Sequence, residues 1–236
     1  DAPGNDGAAT DDGAEGSSAA ASRTGASPSV RQWRRGEVLR DPRFYLLLPA
    51  ALAPGVIMTG VFFMQRHLVE VKAWPLEWFV ACFSVFAGAQ LAAGLASGPL
   101  VDRLGARRLI AVALLPLSAA LLVLALGRHP SIAPIFMALA GLGGGMASII
   151  VSALWAEIYG VRHLGSIRAM VTARLVFGTA SSPFTMGFLV DLGVPFDAIL
   201  GSAAAYAAAA APIAWLAVRA RSGSPSTDAT APPAQE

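Results

Sequence analysis

Six long apolar runs constrain this chain more than any other feature of its sequence. They lie at about 44–64, 78–97, 109–127, 132–154, 169–190 and 198–218. A helix needs about 20 residues to cross the hydrocarbon core of a bilayer, and each run is near that length. Because lipid cannot pair backbone N–H and C=O groups, and because the runs do not alternate in polarity, we predict helices. The predicted fold class is an all-α integral membrane protein with six transmembrane helices.

The composition agrees with lipid as the solvent for most of the chain. The sequence is 55% hydrophobic and 14% charged, whereas soluble domains carry about 25% charged residues. A net charge of +2, scattered between apolar runs, is not the pattern of a nucleic-acid-binding protein. One cysteine and three histidines on separate segments give no support to metal or nucleophilic chemistry. We expect no enzyme activity, no metal, no cofactor and no nucleic-acid partner.

Polar segments flank the apolar runs. Residues 1–40 are mostly small or polar and are predicted to be a disordered cytoplasmic linker, followed by a membrane domain over 41–221. Residues 222–236 are predicted to be a disordered cytoplasmic tail. The first residue is Asp1 and no signal-peptide pattern opens the sequence, so we interpret it as a piece of a longer chain or a processed one.

The basic residues predict the orientation in the membrane. With six spans, the two ends lie on the same side, and this side would carry thirteen basic residues against three on the other. The thirteen are Arg23, Arg31, Arg34, Arg35, Arg40, Arg43, Arg103, Arg107, Arg108, Arg162, Arg168, Arg219 and Arg221. The other side has Arg66, Lys72 and Arg128. Because basic residues concentrate on the cytoplasmic side, both termini are predicted to be cytoplasmic.

A short charged turn at 98–108 joins the second and third runs. It reads G-x-x-x-D-R-x-G-x-R-R, and with six spans whose ends share one side it resembles half of a major facilitator superfamily transporter. The residues that carry this resemblance are Gly98, Asp102, Arg103, Gly105, Arg107 and Arg108. In that family the pattern occupies the cytoplasmic loop after the second helix of a six-helix half. A long polar segment before the half resembles the central loop, so the resemblance implies the C-terminal half.

Two further stretches fit the resemblance, which covers roughly 41–221. The segment 155–165 resembles the junction of the fourth and fifth helices of such a half. The run 62–68 is similar to bacterial carriers of the monocarboxylate and oxalate/formate type. The resemblance implies transport by alternating access, a bacterial inner membrane, and an N-terminal six-helix half that this sequence lacks.

The turn is interpreted as a cytoplasmic gating motif. Gly98 and Gly105 are expected to let the backbone bend tightly. The resemblance implies that Asp102 faces a helix start in the other half and holds the cytoplasmic side shut. Glu157, at the end of the fourth run, is expected to join a charge network with Arg103 or Arg108. The alternative is that these are solvated helix-end charges that only obey the positive-inside bias.

Polar residues within the runs mark a candidate substrate cavity. They are sparse in the third and sixth runs, which in the family face lipid, so the cavity would be lined from the other four. The candidates are Thr59, Gln65, Gln90, Ser152, Trp155 and Arg174. Arg174 is the charged residue inside a run, where it either faces the cavity and binds an anionic substrate or extends back to the cytoplasmic surface.

These observations predict the C-terminal half of a secondary transporter for a small organic solute, such as an organic anion, with a possible coupling proton. Its partners would be the lipid bilayer, the solute and the N-terminal half. The alternative is a non-transporting six-helix membrane protein that acts as a partner or sensor subunit.

Overall fold

The computed structural model describes Trp33 and residues 35–219. The segments 1–40 and 222–236, which are predicted to be disordered, therefore lie outside the described residues, apart from Trp33 and residues 35–40. Within that short stretch, Arg35–Val38 forms a single helical turn. Within the described part the chain forms nine α-helices and no strand. These are α1 (Arg35–Val38), α2 (Pro42–Phe63), α3 (Gln65–Lys72), α4 (Leu76–Ala81), α5 (Phe83–Leu104), α6 (Ala106–Leu126), α7 (Ile132–Tyr159), α8 (Leu164–Asp191) and α9 (Phe196–Arg219).

The long helices occupy the six predicted spans, and the all-α membrane fold class is confirmed. Five stretches are long and apolar enough to cross a membrane: α2, α4 with α5, α6, α7 and α9. The predicted fifth span lies in α8, which has 28 residues and is about 42 Å long. Arg168, Arg174 and a series of hydroxyl residues make α8 less apolar than the other five.

The helices extend beyond the apolar runs at the ends that lie on the side of the 98–108 turn. The second run was predicted to end at Ser97, but α5 continues to Leu104; the fourth was predicted to end at residue 154, but α7 continues to Tyr159. An apolar run indicates only the part of a helix that lies in lipid. Charged residues can extend the same helix into water, so the helix ends beyond the run. The turn between α5 and α6 is consequently reduced to Gly105, which has a φ of +79°. The expectation that the backbone bends at Gly98 is wrong, because Gly98 lies inside α5.

The start of α2 is fixed by local chemistry. The Asp41 carboxylate accepts a hydrogen bond from the Arg43 backbone N–H at 3.0 Å, which pairs one of the free donors of the first turn. Pro42 occupies the first helical position, where its missing N–H costs nothing. The other Asp41 oxygen accepts from the Tyr159 hydroxyl at 3.3 Å. Asp41 thus joins the start of α2 to the end of α7.

The centre of the bundle is built on α6, which packs against α7 and α9. Its fully buried side chains include Leu114, Leu117, Leu121 and Leu124. On its other side α7 packs along α5, and α2 packs on α8 and α9. The contact of α5 with α7 depends on glycines: a Cβ at Gly141 would lie 2.5 Å from the Phe86 carbonyl oxygen, and one at Gly145 would meet the Gln90 carbonyl oxygen.

An ion cluster joins three helix ends on the opposite side from the 98–108 turn. Lys72, whose side chain is completely buried, lies at the end of α3; its Nζ is 2.7 Å from Asp197 Oδ1, at the start of α9. The same Nζ donates to the carbonyl oxygens of Ala125 (3.3 Å) and Gly127 (2.9 Å), at the end of α6. Arg128 adds a more exposed contact, with Nη2 3.1 Å from Asp197 Oδ2.

Two helices leave broad apolar faces uncovered. Leu91 and Leu95 on α5 are 66% and 71% exposed, and Phe177 and Phe184 on α8 are 77% and 76% exposed. A Cβ at Gly88, Gly94 or Gly98 would have no atom within 4 Å, so the glycine face of α5 is open as well. Uncovered apolar faces thus occur on two of the helices that line the groove described next.

Candidate functional site: a polar groove and the 98–108 turn

A cavity of about 510 Å³ opens among α2, α5, α7 and α8. Its walls are mostly apolar, from residues such as Met58, Phe62 and Leu175. Its polar lining residues are Thr59, Gln90, Ser148, Ser152, Trp155, Arg168 and Thr172. A cavity of this size with few polar groups is typical of small-molecule sites.

The polar end of the cavity is formed by Ser152, Trp155 and Arg168. An Arg168 Nη2 donates to the Ser152 hydroxyl and, at 3.4 Å, to the Ser152 carbonyl oxygen. Arg168 is exposed to the open cavity, so its other N–H groups remain accessible. Trp155 is 1% exposed, and its buried Nε1–H has no hydrogen-bond partner among the described residues. The residues that line the cavity thus include two kinds of hydrogen-bond donor, the Arg168 guanidinium and the buried Trp155 indole N–H.

Four of the six predicted cavity residues line this space, and they differ in what they offer a ligand. Thr59 donates its hydroxyl to the Gly55 carbonyl oxygen at 2.7 Å, within its own helix. Ser152 is engaged by Arg168. Gln90 is exposed and makes no side-chain hydrogen bond in the described part of the chain, so its amide is available.

The other two predicted residues lie elsewhere. Arg174 donates to the Met170 carbonyl oxygen of its own helix at 3.3 Å and stacks its guanidinium carbon 5.4 Å from the centre of the Phe44 ring. It therefore reaches towards the start of α2 instead of the cavity lining. Gln65 begins α3, and its buried Oε1 has no partner within 35–219 or at Trp33.

The sequence interpretation missed Arg168 because it placed the start of the fifth span at residue 169. The helix begins five residues earlier, at Leu164, so Arg168 lies one turn inside α8 and faces α7. The signal was the apolar spacing of Ile167, Met170 and Val171, which form the buried face of this turn. A helix start at 164 would have placed Arg168 beside that face.

The 98–108 turn is held by Glu157, near the end of α7. Its Oε1 accepts a hydrogen bond from the Ala106 backbone N–H at 2.7 Å, and its Oε2 lies 3.4 Å from the Arg107 backbone nitrogen. The Arg107 guanidinium donates to the Glu157 carbonyl oxygen at 2.7 Å. Glu157 therefore caps the start of α6 from another helix, and its basic partner is Arg107, not the expected Arg103 or Arg108. Because α6 begins at Ala106, Arg107 is the arginine that faces α7.

Asp102, Arg103 and Arg108 are exposed, and no hydrogen bond or ion pair of their side chains occurs within the described residues. Asp102 lies in the last turn of α5, where the helix dipole disfavours a negative charge. Gly98 has open space in front of it. The backbone N–H groups on the α6 side of the turn are thus paired by Glu157 of this chain. On the α5 side, the Asp102 carboxylate is exposed and has no partner among the described residues.

An all-α bundle with helices apolar enough to span a bilayer and a polar-lined groove along one side defines a membrane protein of the solute-transport class. The family model for the Major Facilitator Superfamily matches residues 76–235, and the chain belongs to that superfamily. No curated protein matches the chain.

Membership confirms the predicted family. The family's members are transporters as a rule, so the chain is an integral membrane protein whose environment is the lipid bilayer and whose ligand class is a small solute. A C-terminal six-helix half is compatible with the length of 236 residues. The matched region begins at Leu76, so it contains the turn, Glu157 and Arg168.

Proposed function

We propose that this chain is the C-terminal half of a secondary transporter that moves a small organic anion by alternating access. The observation that carries this proposal is that the residues lining the cavity include Arg168, which is exposed, and Trp155, whose buried Nε1–H has no partner among the described residues. An unpaired buried N–H costs about 1–3 kcal/mol. A ligand oxygen placed between the two donors would recover that cost and would gain a charge-assisted bond from the guanidinium.

The binding step follows from this geometry. A carboxylate would accept from the Arg168 N–H groups that Ser152 leaves accessible and would accept from Trp155 with the same or the second oxygen. Gln90, on the opposite wall, would hydrogen-bond the rest of the solute. The apolar walls limit the solute to one whose remaining surface is largely hydrocarbon. The residues with direct roles in recognition are therefore Arg168, Trp155 and Gln90, with Ser152 holding the arginine in place.

The uncovered faces of α5 and α8 support a second six-helix half as the partner. They flank the groove, and a second bundle placed on them would close it into a central cavity. Asp102 supports the same arrangement, because a carboxylate at its own helix C-terminus is stabilised by a helix N-terminus from the partner. Rocking of the two halves around the cavity, with Asp102 engaged when the cytoplasmic side is closed, would give alternating access.

Orientation and coupling belong to this proposal. The thirteen-to-three distribution of basic residues supports cytoplasmic termini, and the resemblance to bacterial carriers supports a bacterial inner membrane. The described lining of the cavity contains no Asp or Glu. A coupling proton would therefore need a carboxylate from the other half.

Uptake of radiolabelled lactate by cells that produce the intact transporter tests the proposal. Arg168→Gln is expected to lower uptake by about tenfold or more, because a hydrogen bond to a charged group is worth about 1.5–3 kcal/mol. Arg168→Lys keeps the positive charge but loses the planar guanidinium that can donate two parallel hydrogen bonds, so this variant should retain part of the uptake. Arg66→Gln, on the exposed outer end of the bundle, is the matched control.

Unchanged uptake in the Arg168→Gln variant would contradict the anion site. Absence of uptake for every solute, combined with retention of the chain in a complex with another membrane protein, would favour the alternative of a non-transporting partner or sensor subunit.

A further inference from the structure

A second cavity lies away from the transport groove, between the start of α6 and the end of α9. It has a volume of about 430 Å³ and is lined by Arg107, Arg108, Trp215, Val218 and Arg219. We call it the basic pocket. Neither α6 nor α9 contributes to the lining of the transport groove, so the two cavities are on different faces of the bundle.

The positive charge of the basic pocket is only partly compensated. Arg107 shares Glu157, with Nε 3.8 Å from Oε2. Arg108 and Arg219 have no acidic partner among the residues that the structure describes. The Arg219 guanidinium instead stacks 3.6 Å from the centre of the Trp215 ring, which holds its plane and leaves its N–H edges free. Three guanidinium groups thus line one pocket, and of these only the Arg107 group has a carboxylate partner among the described residues.

The position of the pocket restricts what can enter it. The pocket lies at the ends of two membrane-spanning helices, α6 and α9, at the level where their apolar residues give way to arginines. Trp215 is 36% exposed there, and tryptophan is enriched at the boundary between hydrocarbon and headgroups. Val218 provides an apolar wall. A ligand of this pocket is therefore anionic at one end, apolar at the other, and approaches from the bilayer.

We propose that the basic pocket binds the phosphate headgroup of an anionic phospholipid. The guanidinium groups of Arg108 and Arg219 would donate to the phosphate oxygens, for which their planar geometry is suited. Trp215 and Val218 would contact the glycerol and the first methylene groups of the acyl chains. Basic pockets between transmembrane helices on the cytoplasmic side bind acidic lipid headgroups by this chemistry.

The test compares lipid selectivity of the full chain in nanodiscs that contain equal amounts of phosphatidylglycerol and phosphatidylcholine. Native mass spectrometry after release counts the lipids that stay bound. The wild-type chain should retain phosphatidylglycerol preferentially. Because each arginine near an anionic surface contributes about 1 kcal/mol, the preference should fall about thirtyfold in the double variant Arg108→Gln/Arg219→Gln.

The control removes the same charge elsewhere: Arg40→Gln/Arg66→Gln changes two exposed arginines that lie outside the basic pocket and should keep the preference. Equal preference in the wild type and the Arg108/Arg219 variant would overturn the proposal. A second measurement separates the source of the phosphate. If inorganic phosphate raises the melting temperature of the chain in neutral detergent and phosphatidylglycerol adds nothing, the pocket binds a soluble anion and the lipid assignment is wrong.

Discussion

Glu157 makes two kinds of contact with the start of α6, one through its carboxylate and one through its backbone carbonyl. Its carboxylate pairs the first free N–H groups of α6, and its backbone carbonyl accepts from Arg107. A helix that starts straight after a glycine has no side chain of its own to act as a cap, and Gly105 precedes α6 directly. The cap therefore comes from α7, which fixes the turn relative to the helix that carries Ser152 and Trp155.

We predict that Glu157→Ala destabilises the bundle by about 0.5–2 kcal/mol, as expected for the loss of a helix cap. The amides of Ala106 and Arg107 should exchange hydrogen faster, which peptide-level hydrogen exchange measures. Glu70→Ala is the control, since Glu70 forms only an exposed pair with Arg66 four residues away. Equal exchange over 105–108 in both variants would show that the cap does not stabilise the turn.

Lys72 and Arg128 both pair with Asp197, and we predict that their replacement lowers the free energy of unfolding by different amounts. Lys72→Met should cost about 3 kcal/mol of unfolding free energy, because it removes a buried partner of Asp197 and the donor to two carbonyl groups at the end of α6. Arg128→Gln should cost at most about 1 kcal/mol, since Arg128 is 76% exposed. Denaturant unfolding in detergent measures both. Equal losses would refute the distinction.

Arg168 and Arg174 show where residue-level prediction stops. The sequence places Arg168 just before the fifth apolar run and Arg174 inside it, so their depth in the membrane could be estimated from the start of that run. Which of them faces the cavity depends on where α8 begins and on its rotation, and these are set by packing of Ile167 and Met170 against the rest of the bundle. Aromatic stacking of Arg174 on Phe44 comes from a residue far away in the sequence, so no local pattern indicated it.

At the scale of elements, the contact between α5 and α7 sets the width of the groove. Gly141 and Gly145 lie one helical turn apart on α7 and face the α5 backbone directly. Gly144, between them, faces the cavity, and a Cβ there would have no atom within 4 Å. Neighbouring glycines in one segment thus have different roles.

Gly145→Ala should destabilise the chain by roughly 1–3 kcal/mol, because the added methyl group forces two backbones apart in a packed interface. Gly144→Ala should be neutral or slightly stabilising, since alanine favours the helix and has space there. The unfolding midpoints of the two purified variants in detergent give the comparison. A loss of stability in Gly144→Ala as large as that in Gly145→Ala would contradict the assigned packing.

Helix number and approximate position could be predicted from hydropathy, because lipid demands long apolar runs. Helix ends could not, because charged residues such as Arg103 extend a helix into water without interrupting it. The break at Met64 agrees with the predicted end of the first run. The interruption at Cys82 was unpredicted, because cysteine is not a helix breaker and the apolar pattern continues through it.

At the scale of the whole molecule, the bundle has two kinds of surface. The faces of α5 and α8 are apolar and flank a polar groove, whereas the side formed by α6 and α9 is apolar and ends in the basic pocket. The first kind fits a protein partner and the second fits lipid. The distribution of polar residues predicted which spans line the groove, while the basic pocket required the structure, because Arg107 and Arg219 are far apart in the sequence.

The orientation yields a prediction for the intact chain in cells. In a Cys82→Ser background, His129→Cys, between α6 and α7, should react with a membrane-impermeant maleimide added outside. Val161→Cys, in the exposed turn between α7 and α8, should react only after the membrane is opened. The reverse pattern would invert the proposed topology and place the 98–108 turn outside the cytoplasm.

The buried Lys72 has a consequence for how the protein is made. Its acidic partner, Asp197, lies in α9, so the ribosome adds the lysine to the chain well before it adds the aspartate. During that interval the ammonium group must stay in water or in the headgroup layer, and α3 cannot settle into its final position. Assembly of this side of the bundle therefore awaits the synthesis of α9, and chains that stop before α9 would present an unneutralised lysine to quality-control proteases.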